Sequence, residues 1–522
     1  MSEQKSRGVT RRRFLATTAA SVGLAGLAAA GCRPGESGPA ASAGPSGAAQ
    51  RRDLTIITGS EISTLDTIKT NALEDIVLIE ALTDKFCRMS ATNYGQLEPM
   101  LATSWSTVNP TKWRFKLRQD VKFHNGHEFT AETAKFSIEK YAAEGVFKAL
   151  VAAIDRAEVV DKYTVDIVTK APTGLVPMMM NAGVHQHDPA WYTSSDYSGD
   201  RLIGTGPAKF VEWVKGQRVV MEANPTWWGG KISWDRITWR PISEGATRAN
   251  AALAGEADIV RNILGQDVDR VKARRGAGIA TIGSNRVATL RFRDDLPPFD
   301  NKLVRQALNY GVDMNDIVTN VLKGYGKPTG AQVQGPQVAH YQKDVQGYPY
   351  DVDKAKSLLA QAGFPRGFAT KIGTPRGRDQ GDFEFVQAVA GQLKKIGVEA
   401  EVVLFEAGEY QTIYAGQKEA TPIFYYSSGN IIPDAENAVR DFLAERSYKV
   451  RSKEYQDIYN KLSGTLDENE RERLSREAVL LMKDYCPGIF GYQLVQAYAV
   501  ADRVKWTPRS DEKILIDEAK LA

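Results

Sequence analysis

Cysteine and histidine are scarce in this chain, and no apolar run is long. Three cysteines, Cys32, Cys87 and Cys486, stand among 522 residues, too few for a disulfide framework. Cys87 and Cys486 read either as a single bridge or as two small buried apolar side chains. The five histidines offer little for metal chemistry. His185 and His187 form an HxH pair, but no cysteine or carboxylate accompanies them at an established spacing, and a closed site wants about four ligands. A loop near a cleft rim is the plainer reading of that pair, and His124, His127 and His340 stand apart. The most apolar stretch, residues 14–30, is interrupted by Thr17, Thr18, Ser21, Gly23 and Gly26, short of the ~20 strongly apolar residues of a membrane span. The chain has no GxSxG, no HExxH, no phosphate loop and no dinucleotide fingerprint, which argues against the common hydrolase and nucleotide chemistries. Net charge is small as well. The formal +4 is matched by residues 1–31 alone, where Lys5, Arg7, Arg11, Arg12 and Arg13 face only Glu3. The remainder of the chain is balanced, so nothing indicates a nucleic-acid surface, which needs a retained basic patch.

What is present begins with export signals. Thr10-Arg11-Arg12-Arg13-Phe14-Leu15 matches a twin-arginine signal, and residues 1–31 read as the signal peptide. Ala29-Ala30-Gly31-Cys32 resembles a lipobox, with Ala29 where leucine is preferred; cleavage after Ala28-Ala29-Ala30 by the ordinary signal peptidase is the competing reading. A diacylated Cys32 would tie the mature chain to the outer face of a membrane. Residues 32–52 are rich in Gly, Pro, Ala and Ser and read as a flexible tether. The remaining length exceeds one ordinary core, so two or three domains are expected.

The most locally determined stretch is 97–140. Trp113, Phe115 and Leu117 alternate with Lys112, Arg114, Lys116 and Arg118, the period of a half-buried strand, and Val121 and Phe123 continue it. Asn125-Gly126 supplies a turn. Thr130 is a natural N-cap for a helix whose buried stripe is Ala134, Ile138 and Tyr141. Elsewhere Leu54–Thr58 reads as a first strand, 72–82 as a first helix, and 157–160 with 163–168 as a hairpin over Asp161-Lys162. Asp300 or Asn301, Asp351 and Asp467 are candidate caps of later helices. Helix and strand then alternate from 383 to 404, which argues for α/β layering.

Several spaced motifs resemble those of the extracellular solute-binding proteins, family 5, the peptide/nickel type. They are Leu97-x-Pro99-x-Leu101-Ala102-x-Ser104-Trp105, Val121-Lys122-Phe123-His124-Asn125-Gly126, Gly204-Thr205-Gly206-Pro207, Asn224-Pro225-x-Trp227-Trp228, Pro298-Phe299-Asp300-Asn301 and Tyr350-Asp351-x-x-Lys354-Ala355. The resemblance implies an α/β, two-lobed periplasmic-binding-protein-like fold with a hinge, plus an extra N-terminal subdomain. It places lobe 1 at 53–92 with 201–285 and 491–522, the inserted subdomain at 93–200 and lobe 2 at 286–490. It implies a receptor rather than an enzyme, without cofactor, that closes around a small solute (peptide, oligosaccharide or conjugate) and hands it to the permease of an ABC importer. An extracytoplasmic, lipid-anchored monomer is the plain expectation. A nickel or metal-chelate receptor and an exported hydrolase are the alternatives.

The same resemblance points to the ligand site. In peptide-binding relatives an aspartate ahead of a proline neutralises the peptide α-ammonium, a charge costly to bury unpaired. Setting Pro433 on that proline places Tyr426 at a tryptophan and Gly429 at the aspartate. The acid is missing, and Asp434 is not an obvious substitute, so a neutral or anionic ligand is expected. Candidate contacts are Tyr425, Tyr426, Ser427, Gly429 and Asn430, with Ser60 and Glu61 at the rim. Arg376 and Arg378 precede a helix and have the fork that suits a ligand carboxylate.

Overall fold

In the computed structural model the described residues run from 52 to 522, apart from Asn71, Phe147, Gly377 and Asn430. The expected signal peptide, Cys32, nearly all of the tether, and Asn430 lie outside the described residues. Among the described residues no helix is long and apolar enough to cross a membrane.

One 11-stranded sheet runs through the whole unit. The strand Asp53–Thr58 buries Leu54 and Ile56 and pairs in parallel with Arg236–Pro241 on one side and Ile259–Val260 on the other. The middle of the sheet is a long antiparallel pair, Ala277–Phe292 with Gly488–Ala501. Past this pair, Ile423–Gly429, Phe368–Thr374 and Val398–Leu404 complete the sheet. Each half has its own core. Leu54, Trp234, Trp239, Ile514 and Ile516 belong to one, and Leu290, Val304, Phe385, Phe424 and Tyr492 to the other. The chain is therefore two-lobed, with helices covering a shared mixed sheet.

A separate four-stranded antiparallel sheet, in the order Ala102–Asn109, Lys112–Leu117, Thr164–Thr169, Ile154–Asp161, carries the helix Ala131–Glu144. Ala134, Ile138 and Tyr141 pack on Phe115, Val165 and Ile167, and losing the Phe115 ring would cost about 3–5 kcal/mol. Val121 and Phe123 are buried but not in a strand; only a single bridge, Lys122 to Glu128, forms there. Asp120 at φ 63° breaks the extended run ahead of them.

Two sequence motifs turn out to be one contact. Gly204 and Gly206 lie so close to the end of the helix Leu73–Leu82 that a Cβ on either would run into backbone of Leu82 and Thr83. His124 Nε2 donates to the Gly206 carbonyl at 3.1 Å and Nδ1 accepts from the Gly204 N–H at 3.3 Å; burial lowers this imidazole to about 4. Asp84 sits beside it. One carboxylate oxygen accepts from Trp228 at 2.7 Å, Thr205 at 3.0 Å and Trp227 at 3.3 Å, while the other is buried without a partner. Burial pushes this carboxyl up to about 7.

Cys87 and Cys486 are both free and buried. They belong to different cores, Cys87 with Phe86 and Phe115 and Cys486 with Tyr455 and Leu474, and burial pushes both thiols up to about 12. The apolar reading holds; the bridge does not form.

Candidate ligand site

A cavity of about 900 Å³ opens between the halves, a volume that suits a drug-sized ligand. Its first wall comes from Gly59 and Ser60 at the end of the first strand and from Leu73, Glu74 and Ile76 in the helix Leu73–Leu82. The unit built on the four-stranded sheet contributes Leu150 and Asn181. The facing wall is supplied by Pro375, Arg376, Arg378 and Asp379, the helix Ala407–Tyr414, the end of Ile423–Gly429 and the helix Ala435–Leu443.

The floor depends on a break in the central pair. Gly283 pairs with Val495 and Val287 with Gln493, so four residues on one strand span two on the other. A bulge of this kind re-aims side chains. Asn285 and Arg286 lose their pairing with Gly488–Ala501, although Arg286 still pairs with Gly429 on the other side, and both line the cavity.

The facing wall is built on stacked rings and guanidinium groups. Arg378 lies 4.5 Å from the Tyr414 ring, Tyr414 stacks on Tyr426 at 4.7 Å and 9°, and Arg291 sits 3.6 Å over Tyr426 and 3.7 Å from Phe442. Such contacts contribute about 0.5–2 kcal/mol each and hold Arg378 in one orientation. Its side-chain hydrogen bonds are long and go to neutral groups, the Ser427 hydroxyl at 3.3 Å and carbonyl at 3.5 Å, while the Asp379 carboxylate stands off at 3.9 Å.

The carboxylates of the wall are already engaged. Asp379 accepts from Tyr425 at 2.9 Å, from Ser427 and from Arg286 at 3.3 Å. Asp441 accepts from Arg291 at 2.6 Å and from Arg446 and Tyr426 at 2.9 Å. Burial alone would raise Asp441, but the two arginines outweigh it and lower it to about 2. Glu512 binds Arg261 at 2.6 Å, and Arg286 and Arg261 together lower it against the effect of burial. Glu74 holds Arg261 at 3.2 Å, Asp511 holds Arg509 at 2.9 Å, and Glu445 holds Lys449 at 2.6 Å. Cationic donors are less well served. Arg286 Nε is buried without a hydrogen bond, 3.5 Å from Glu512, and the Arg376 guanidinium is exposed, 4.0 Å from the Phe383 ring.

Of the residues expected from sequence, Ser60, Arg376, Arg378, Tyr426 and Gly429 come together on the cavity. Glu61 is exposed and outside its lining. Tyr425 and Ser427 are fully buried behind the wall, where they hold Asp379. Gly429 brings no carboxylate. Asp434 caps the helix Ala435–Leu443 and pairs with Arg471 at 2.7 Å, so it does not substitute. His185 and His187 are buried rather than on a rim: His185 packs against Glu80 at 3.7 Å and His187 bonds the Thr67 hydroxyl at 2.7 Å. Among the described residues, no group of three or more His, Cys, Asp and Glu is placed to hold a metal. Sequence reasoning missed Arg286, Asn181, Tyr414 and Arg446. Tyr410 and Tyr414 do show i, i+4 spacing, but the bulge that aims Arg286 leaves no local signal.

Residues 96–449 match the model of the bacterial extracellular solute-binding proteins, family 5 middle region. The chain belongs to that family. A second model, effector-associated domain 9, matches residues 434–484, which fold here as helices of the same unit. Heme-binding protein A of Haemophilus influenzae is 27% identical over 446 residues, covering 78% of this chain and 81% of that protein. Glutathione-binding protein GsiB of Escherichia coli K12 is 25% identical over 447 residues, covering 82% and 86%. Among solved structures, the periplasmic binding protein DppA of Helicobacter pylori aligns over 90% of this chain and 98% of its own with a TM-score of 0.79 at 22% identity. AgaA of A. tumefaciens R10, solved with agropinic acid, aligns over 90% and 99% with the same score and identity. These share the two-lobed fold. As a family 5 member, the chain is a solute receptor of the kind that serves ABC importers.

Proposed function

We propose that this receptor captures a small organic anion, carried on the Arg376, Arg378 and Arg286 side of the cavity, without chemical turnover. The observation behind this reading is the asymmetry of the wall: its carboxylates are each bound to a cation already, while guanidinium donors are left over. A buried cation with unmet donors favours a carboxylate, and the pairing is strongest when bidentate. A peptide with a free α-ammonium finds no carboxylate at Gly429, so a conjugate whose amine is blocked or absent fits better. Heme, for which one relative is named, carries carboxylates and no amine.

Binding closes lobe 1 (53–92, 201–285, 491–522) and the inserted subdomain (93–200) onto lobe 2 (286–490) about the central strand pair, and the closed form delivers its solute to the importer permease. Twin-arginine export, a lipid anchor on Cys32 and a monomeric state complete the reading.

Mass spectrometry of small molecules released from protein lacking residues 1–50 tests it. An anionic solute is expected. A released peptide with a free amino terminus would sink the reading.

A further inference from the structure

Among the described residues of the cavity wall, Asn181 carries a polar side chain that the fold leaves unused. It sits near the end of the short helix Val176–Ala182, behind the buried Met179 and Met180, is only 5% exposed and lines the cavity. Its Oδ1 is buried with no hydrogen-bond partner. Buried amides are nearly always satisfied, and one that is not costs the fold free energy with no internal return. Ala149, Leu150, Ala182 and Ile431, which line the same cavity, have apolar side chains that cannot bond it.

Resting on the anion reading above, we infer that Asn181 is a second recognition point, which reads a neutral group able to give and take hydrogen bonds: a carboxamide or a hydroxylated chain on the far part of the solute. A side-chain amide presents one acceptor and two donors in a plane, the complement of another amide or of adjacent hydroxyls. It cannot neutralise a charge. The Arg378 stack and Asn181 belong to different parts of the fold, the first with Tyr414 and Tyr426, the second in the unit of the four-stranded sheet, and both line the one cavity. A solute that satisfies both is an acidic conjugate: an anion at one end and an amide or polyol at the other. Such a solute bridges the two walls, so its affinity reports closure as well as contact.

A matched pair of probes separates the two ends. N-gluconoylglutamate joins a glutamate head, its amine blocked as an amide, to a polyol chain; N-hexanoylglutamate carries the same blocked head on an apolar chain. Calorimetry on the wild-type protein is expected to show at least tenfold preference for N-gluconoylglutamate. Asn181→Leu, close in volume, should erase that preference while leaving N-hexanoylglutamate affinity within about twofold. Asn181→Gln should restore part of it, and Arg378→Ala should weaken both probes alike. Equal wild-type affinity for the two, or a preference that survives Asn181→Leu, overturns the role of Asn181 and leaves the anion reading standing. Failure of the wild type to bind either probe overturns both. A change in melting temperature of ligand-free Asn181→Leu does not enter, because the comparison is between two probes on one variant.

Discussion

The Tyr414 and Tyr426 rings lie 4.7 Å apart and 9° from parallel, with Arg378 on the outer face of the first and Arg291 against the second. The two rings come from different elements, the helix Ala407–Tyr414 and the strand Ile423–Gly429, so the stack positions an arginine through tertiary packing. Tyr414→Ala is expected to weaken anion binding about tenfold, and Tyr414→Phe to keep most of it, since the ring rather than the hydroxyl does the positioning. Titration calorimetry with the solute released from the wild type decides. Equal losses in both variants would assign the effect to the hydroxyl, which reaches the Ser427 carbonyl at 3.4 Å.

Arg376→Ala combined with Arg378→Ala should lower affinity by about 10²-fold without unfolding the protein. Arg376 is exposed and stacks on Phe383, so most of the loss belongs to Arg378. Wild-type affinity should fall with added salt, less steeply than for an exposed pair because the site is partly closed. Unchanged affinity in the double variant would remove this loop from the site.

Asp84 makes a prediction with a definite sign. Its folded pKa, about 7, lies above the ordinary carboxylate value. The folded state therefore holds the proton more tightly than the unfolded chain. The contribution to stability is full below about pH 4 and is lost as pH rises through 7. Asp84→Asn keeps an acceptor for the Trp227 and Trp228 indoles and removes the charge. The variant should melt above the wild type at pH 8, by at least ~1 kcal/mol of added stability, one pKa unit being worth about 1.4 kcal/mol. The gap should close toward pH 4. His124 and His187, lowered by burial to about 4 and about 3, act in the opposite sense: what they contribute is present above about pH 6.5 and fades as pH falls. A gap that widens on acidification would contradict the assignment.

EDTA at millimolar concentration should leave solute binding unchanged, since His185 and His187 are spent on Gly183, Glu80 and Thr67. Loss of binding, restored by nickel, would show instead that the solute is a metal chelate.

Much of the fold was legible because its signals are local. Alternation at Trp113–Leu117 and the caps Asn301, Asp351 and Asp467 each act within a few residues, and each does what its chemistry requires. The site was legible only in part. Arg378, Tyr426 and Gly429 sit in stretches with family motifs. Arg286 reaches the cavity because Ser284, Asn285 and Arg286 stand against the single Leu494 of a strand that lies about 200 residues later. Tyr425 and Ser427 lie in the stretch that resembles the family's ligand segment, but a strand alternates its faces, so they support Asp379 from behind instead.

The central pair has a mechanical meaning. Ala277–Phe292 and Gly488–Ala501 belong to both halves of one continuous sheet, so the two jaws share a spring rather than a loose joint. Any gape must be stored as twist in these two ribbons. The twist has a soft place at 284–286, where the rungs to the second ribbon are missing, and there Arg286 lines the cavity. Whatever engages that guanidinium grips the spring where it yields.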